Sequence, residues 1–256
     1  VFGLQSNLPP VRGASWDRLK KMSFEERQIA IHDEATCAAL TRDARKHRVM
    51  GLAMRRIYFM GNQPQPQYTQ PRRENLLTQA RRAGEHWSET FLRLSRENEG
   101  RALFTLRLFS ANLPGLSELI KNKNVLPGLG DAGAHVSQIM DAGWPSFMLS
   151  HWVRAEQHFT MGEAIRRMTS ASARVMGLQD RGLLAPGMRA DINVLDPETV
   201  SEQQPELVHD FPNGAPRFIQ RANGYRATLV NGEISLIDGE HTGARAGQVL
   251  RPGARS

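Results

Sequence analysis

The hydrophobic and polar positions divide the chain at about Gly177: capped helical segments dominate before it, and short β-like runs punctuated by glycine follow it. Ser23-Phe24-Glu25-Glu26 is a capping box that opens a helix, and Asp33-Glu34 starts another running through Cys37 and Leu40 towards Lys46. Residues 72–83, closed by Gly84, and 88–97, closed near Gly100, predict two more. Leu113 begins a helix ending at Lys121, residues 147–154 another, and Thr160-Met161-Gly162-Glu163 caps one that carries Ala164, Ile165 and Met168 on one face. Between them, Gln63-Pro64-Gln65-Pro66-Gln67 has no periodicity and predicts a loop or flap over 62–71.

Two apolar runs in the helical part read as strands, residues 102–109 and 125–129. With the helix between them they form a βαβ unit, which predicts adjacent parallel strands joined by a right-handed crossover. After Gly177, Gly182, Pro186-Gly187, Asn213-Gly214, Asn223-Gly224, Asn231-Gly232 and Asp238-Gly239 separate runs such as 190–195 and 225–230. Val230-Asn231-Gly232-Glu233 is a hairpin signal, and residues 179–256 are expected to form a small all-β module.

The chemistry concentrates where the second apolar run ends. Asn124-Val125-Leu126-Pro127-Gly128-Leu129-Gly130-Asp131-Ala132-Gly133-Ala134-His135 delivers a carboxylate and an imidazole into a glycine-rich turn, and the C-terminal ends of strands are where α/β barrels keep their active sites. Asp131 can be a metal ligand or a proton acceptor; its alternative reading is an Asp that caps the turn through its own backbone.

Composition narrows the class. The chain has 256 residues with 40% hydrophobic content, enough for a sizeable core in one large domain or a large one with an appendage. No apolar run approaches the roughly 20 residues that cross a bilayer, and the opening Val1-Phe2-Gly3-Leu4-Gln5 is not a secretion signal, so no membrane is expected. Cys37, the single cysteine, excludes an internal disulfide and suits a reducing, cytoplasmic compartment. The net charge of +7 would permit a nucleic-acid partner, but the basic residues are scattered through helices, as in Arg72-Arg73, Arg81-Arg82 and Arg166-Arg167, so solvated helix faces are expected instead. The chain begins without Met and reads as a piece of something longer.

The turn at Asp131, the segment Thr160-Met161-Gly162-Glu163-Ala164-Ile165-Arg166-Arg167-Met168-Thr169, and the run from Asp180-Arg181-Gly182-Leu183-Leu184-Ala185-Pro186-Gly187 through Met188-Arg189-Ala190-Asp191 to Asp196 resemble the amidohydrolase superfamily. The closing stretches His209-Asp210-Phe211-Pro212, Gly224-Tyr225-Arg226, Val230-Asn231-Gly232 and Thr242-Gly243-Ala244 narrow the resemblance to the N-acyl-D-amino-acid deacylase branch, from about Ala102 onward. It implies an α/β fold: the C-terminal part of a TIM-like (β/α) barrel over residues 1–178, followed by a small β-sandwich module over 179–256. It implies a metal-dependent hydrolase of a non-peptide amide bond, with zinc as cofactor and a small-molecule amide as substrate. Asp131 takes the place of the family's general base and a possible metal ligand. His135 is assigned to orienting the turn or polarising the substrate carbonyl.

The departures are as informative. The family's His-x-His pair is missing, and His32, His47, His86, His151, His158, His209 and His241 are scattered, which predicts surface or packing roles for them. Cys37 lies in a predicted helix and reads as a small buried hydrophobe. Most metal ligands are therefore expected outside this chain, in a complementary N-terminal half of the same enzyme. Where the family's carboxylate-binding Arg would follow, Asp141-Ala142-Gly143-Trp144 stands instead; Arg154 is the nearest substitute, with a solvated helix residue as its alternative reading. Two other readings remain: hydrolysis of a cyclic amide or carbamoyl compound, and a non-catalytic half-barrel that serves as a partner subunit.

Overall fold

A computed structural model describes residues 1–46, 54–107, 112–128 and 130–250. The chain is a mixture of helix and sheet in two compact units, each assembled from three separate stretches. The first comprises Val1–Leu113, Ala132–Met140 and Gln204–Ile219, and the second Pro114–Asp131, Asp141–Gln203 and Gln220–Ser256.

The first unit holds helices α1 (Ala14–Lys21), α2 (Phe24–Ala30), α3 (Glu34–Lys46), α4 (Leu76–Ala83) and α5 (Trp87–Glu97). Their starts follow the capping chemistry in the sequence. Ser23 and Glu26 satisfy each other's backbone N–H groups, and Asp33 Oδ2 accepts from the Thr36 amide at 2.7 Å. The stretch read as one helix over 72–83 is instead a single 3₁₀ turn, Arg72–Glu74, followed by α4, because Asn75 adopts extended backbone and caps the new helix through the Thr78 amide. The helices bury Trp16, Leu19, Leu40, Leu76 and Phe91 against the strand residue Phe104, whose ring centroid lies 4.8 Å from that of Phe91. Trp16 Nε1 donates to the Leu40 carbonyl at 2.8 Å, so the one polar atom of that buried indole is satisfied. The 62–71 connector is a loop strapped within this unit: Gln204 Nε2 donates to the Met60 and Gly61 carbonyls, and its amide donates to Pro64.

Strands β1 (Phe2–Gly3), β2 (Ile57–Phe59) and β3 (Leu103–Leu106) form a three-stranded sheet with β3 in the centre, pairing antiparallel on both sides. The predicted pair of adjacent parallel strands is corrected here. Phe104 pairs with Phe2 on one side and Phe59 on the other, so neither edge of β3 is open to a parallel neighbour. Residues 108 and 109 of that predicted strand lie outside the described residues.

Its expected partner, 125–129, is not a strand over 125–128, and Leu129 lies outside the described residues. Hydrogen bonding accounts for this. The Val125 amide donates back to the Asn122 carbonyl at 3.1 Å, and its carbonyl accepts from Arg167 Nη1 at 3.0 Å. Pro127 has no N–H to offer a ladder.

The second unit contains α6 (Leu113–Lys121), whose first residue belongs to the first unit, α7 (Trp144–Phe147), α8 (Met161–Met168) and α9 (Ser170–Val175). The helix expected over 147–154 is present, but from Met148–Ala155 it runs in wider π-helical turns. Its core gathers Met148, Leu149, Trp152, Phe159, Ala164 and Val200.

Beyond residue 178 the described elements are strands and one 3₁₀ turn, Pro212–Gly214. In chain order the strands are β4 (Ile192–Leu195), β5 (Ser201–Glu202), β6 (Glu206–Val208), β7 (Arg217–Ile219), β8 (Ala222–Asn223), β9 (Tyr225–Val230), β10 (Glu233–Ile237) and β11 (Glu240–His241). They make a four-stranded sheet in the order β11-β10-β9-β4 and the pairs β5-β8 and β6-β7, all antiparallel. The expected hairpin is present, with Val230 opposite Glu233 and both turn residues at positive φ, Asn231 at 52° and Gly232 at 83°. β6 and β7 belong to the first unit, so the C-terminal strands are shared between both units.

Candidate functional site

Asp131 ends the first stretch of the second unit and is exposed. Its carboxylate makes no hydrogen bond or ion pair among the described residues, so what the structure holds is the backbone that carries it. That backbone is held closely. A Cβ added to the preceding Gly130 would sit 2.9 Å from the Asp141 carbonyl oxygen and 3.4 Å from the Trp144 ring, a fit that only glycine allows. Two residues on, the Gly143 amide donates to Gln220 Oε1 at 3.0 Å, and Gln220 Nε2 donates to the Gln203 carbonyl at 2.8 Å. Beside this turn lies Glu202, 1% exposed, whose carboxylate accepts from Ser150 Oγ at 3.0 Å.

His135 falls in the Ala132–Met140 stretch of the first unit, whereas Asp131 belongs to the second. It is exposed, with φ 48°, and its carbonyl accepts from the amides of Gln138 and Ile139 at 2.7 and 3.1 Å. The backbone of His135 thus closes a turn. Arg154, on the π-helical stretch, spends one guanidinium nitrogen on the Pro197 carbonyl at 2.9 Å.

Three other described histidines have capping and packing partners. His86, which the sequence reading missed as a cap, opens α5 in a reciprocal arrangement with Glu89; the Glu three residues on was the available signal. His151 stacks on Phe147 at 4.7 Å, and burial pushes its pKa down. His158 stacks on Trp152 and lies 2.6 Å from Ser117 Oγ. His47 lies outside the described residues. Among the described residues, no group of three or more His, Cys, Asp or Glu side chains is placed to hold a metal ion. Asp131 with its described neighbours therefore does not by itself fit one.

A cleft of about 540 Å³ in the first unit is lined by Cys37, Thr41, Glu85, Glu89 and Arg96 among others, and by none of Asp131, His135 or Arg154. Cys37 is half-buried rather than fully buried. Its thiol donates to the Ile31 carbonyl at 3.1 Å, and burial raises its pKa against the opposing effect of Arg96. That environment suits a packing residue better than a nucleophile.

The long motif after Asp180 does structural work. Arg189 Nε bonds Asp180 at 2.9 Å while its Nη1 reaches Asn231 Oδ1 at 3.0 Å. Arg181 joins Asp180 and Asp191, and Asp191 accepts from the Asn231 amide at 2.8 Å. The two arginines and two aspartates thus clip the 180–191 segment to the β9–β10 hairpin turn. No helix among the described residues is long and apolar enough to cross a membrane.

Comparison with known proteins agrees with the motifs. Residues 114–236, which include Asp131, match the Amidohydro_3 model of the amidohydrolase family. N-acyl-D-aspartate deacylase of Alcaligenes xylosoxydans xylosoxydans is 39% identical over 113 residues, covering 43% of this chain and 21% of that protein. N-acyl-D-glutamate deacylase of the same organism is 36% identical over 110 residues, 42% of this chain and 20% of that protein. A solved D-aminoacylase, described as defining a novel subset of amidohydrolases, overlaps with a TM-score of 0.46 at 24% identity, over 76% of this chain and 37% of that one. Another, studied for the functional role of its binuclear metal centre, overlaps with a TM-score of 0.47 at 23% identity, over 80% and 39%. The matched stretches span about a fifth of each curated relative's length and well under half of each solved chain. Over residues 114–236 the chain is thus similar to the amidohydrolase family, and the curated relatives it resembles are N-acyl-D-amino-acid deacylases, of whose length it spans about a fifth.

Proposed function

We propose that this chain is the C-terminal part of a metal-dependent amidohydrolase that removes the acyl group from an N-acyl-D-amino acid. The observation that carries the reading is the 39% identity to N-acyl-D-aspartate deacylase, together with a family segment that contains Asp131. Asp131 is the proton acceptor: an exposed carboxylate on a closely held turn can take a proton from the attacking water and return it to the leaving amine. His135 orients its own turn or polarises the substrate carbonyl, and Arg154, the first arginine after Asp131 in the sequence, is the candidate for a substrate carboxylate.

Zinc is the proposed metal of the assembled enzyme, with most ligands supplied by a complementary N-terminal half, since the described residues of this chain gather no group of three or more side chains that could hold one. The need for a complement is supported by apolar surface left in the second unit. The face of the β4-β9-β10 sheet made by Ile192, Val194, Ala227, Leu229, Ile234 and Ile237 is apolar throughout, and Val194, Ile234 and Ile237 remain 47%, 44% and 49% exposed. The complete enzyme is proposed to form a TIM-like barrel with a small β-sandwich module and to work in the cytoplasm.

The test is hydrolysis of N-acetyl-D-aspartate, N-acetyl-D-glutamate and an N-acetylated neutral D-amino acid, each against its L-enantiomer, by the chain assembled with its complement. Turnover of a D-substrate and not its enantiomer is expected. Turnover of a cyclic amide or carbamoyl compound in place of all of them would overturn the substrate class.

A further inference from the structure

The turn that carries Asp131 is held from a distance of 89 residues in sequence, by Gln220. Within the second unit the contacts run in one line. Gln220 is anchored on the Gln203 carbonyl at 2.8 Å and receives the Gly143 amide at 3.0 Å; the Asp141 carbonyl, two residues before Gly143, packs where a Cβ of Gly130 would stand, at 2.9 Å; and Gly130 precedes Asp131. Gly143 fits between Gln220 and Glu202 only because it lacks a side chain: a Cβ there would run into Gln220 Oε1 and come within 3.0 Å of Glu202 Cβ. The carboxylate at the end of this line has no side-chain partner of its own among the described residues, so a shift of the 141–143 turn passes to Asp131 through the backbone of Gly130.

We propose that Gln220 is a positioning residue for Asp131, setting through the 141–143 turn where the backbone places its carboxylate. This rests on the reading of Asp131 as proton acceptor. A displacement of about 1 Å at a reacting group can cost on the order of 100-fold in rate. Gln220→Leu keeps roughly the same size and removes the hydrogen bonds to Gly143 and Gln203. It should therefore lower kcat by roughly 10- to 100-fold and leave KM nearly unchanged.

The deciding experiment is a double-mutant cycle on the assembled enzyme, with kcat, KM and the thermal midpoint measured for Gln220→Leu, Asp131→Asn and the pair. If Gln220 acts through Asp131, adding Gln220→Leu to Asp131→Asn costs no further activity. Gln220→Glu keeps the acceptor oxygen for Gly143 but sets a carboxylate oxygen against the Gln203 carbonyl, so it should recover only part of kcat. Gly143→Ala displaces the same contact from the other side, and it decides the matter by the same cycle if the Leu variant does not fold. An equal loss in both backgrounds, or no loss in the wild-type background, would overturn the proposal while Asp131→Asn by itself still shows its large loss of turnover. Wild-type turnover by Asp131→Asn would instead remove the reading on which it rests.

Discussion

Arg167 Nη1 lies 3.0 Å from the carbonyl oxygen of Val125. The same nitrogen also serves the Ile120 and Asn122 carbonyls at 2.7 and 3.1 Å, and the guanidinium rests 4.9 Å above the Phe159 ring. Carbonyls left over at the C-terminal end of α6 thus find a buried cation, where a helix favours positive charge.

Removing that cation should be among the costliest single changes in the second unit. Arg167 is 5% exposed, and Arg167→Met would leave several carbonyls without a donor, at a loss of about 3 kcal/mol in unfolding free energy. Lysine should restore only part of it, because one ammonium cannot reproduce the planar fork. Urea unfolding of the two variants checks both statements; a loss within experimental error for Arg167→Met would show that the carbonyls find water instead.

Glu163 pairs with Arg166 and Arg167 through Nε···O distances of 2.7 and 2.6 Å, and these hydrogen bonds, Arg166 first, lower its carboxyl from the ordinary 4.5 to about 2. A carboxyl depressed on folding adds stability that is fully present above its unfolded value and is lost as the pH falls through the folded one. The difference in stability between wild type and Glu163→Gln should therefore be constant above about pH 5 and shrink between about pH 4.5 and pH 2. Unfolding curves across that range test it; a difference that persists unchanged to pH 2 would contradict the pairing.

The Asn231-Gly232 turn offers a cleaner test of backbone conformation. A Cβ on Gly232 would meet nothing closer than Ala190 Cβ at 3.9 Å, so Gly232→Ala has room and suffers only from φ 83°. A cost of about 1–2 kcal/mol is expected, seen as a lower urea midpoint with unchanged slope. Asn231→Ala also puts alanine at positive φ, 52°, and removes the Arg189 contact at 3.0 Å though not the bond from its own amide to Asp191, and should cost a similar amount.

Elements specified by neighbours in sequence were readable: the Ser23 capping box, the end of α4 at Gly84, and the β9–β10 hairpin all rest on residues within a few positions of each other. Residues 125–128 were misread because their apolar pattern suits a strand, whereas the Val125 carbonyl is taken by Arg167, 42 residues away. The direction of pairing around β3 was equally hidden, since both neighbours, β1 and β2, are non-local. At the site, the glycine turn around Asp131 could be picked out from its composition. Its support by Gln220 could not, because nothing in the local sequence marks a glutamine 89 residues downstream.

The central claim is that Asp131 takes the proton in amide hydrolysis. The direct measurement is kcat for Asp131→Asn against wild type in the assembled enzyme, on the amide substrate that the hydrolysis assays identify, with thermal unfolding as a control for folding. The substitution keeps the size and removes the basic oxygen. The account predicts a fall of about two to four orders of magnitude, the range of a general base, with an unchanged unfolding midpoint. Turnover by Asp131→Asn at the wild-type rate would contradict it.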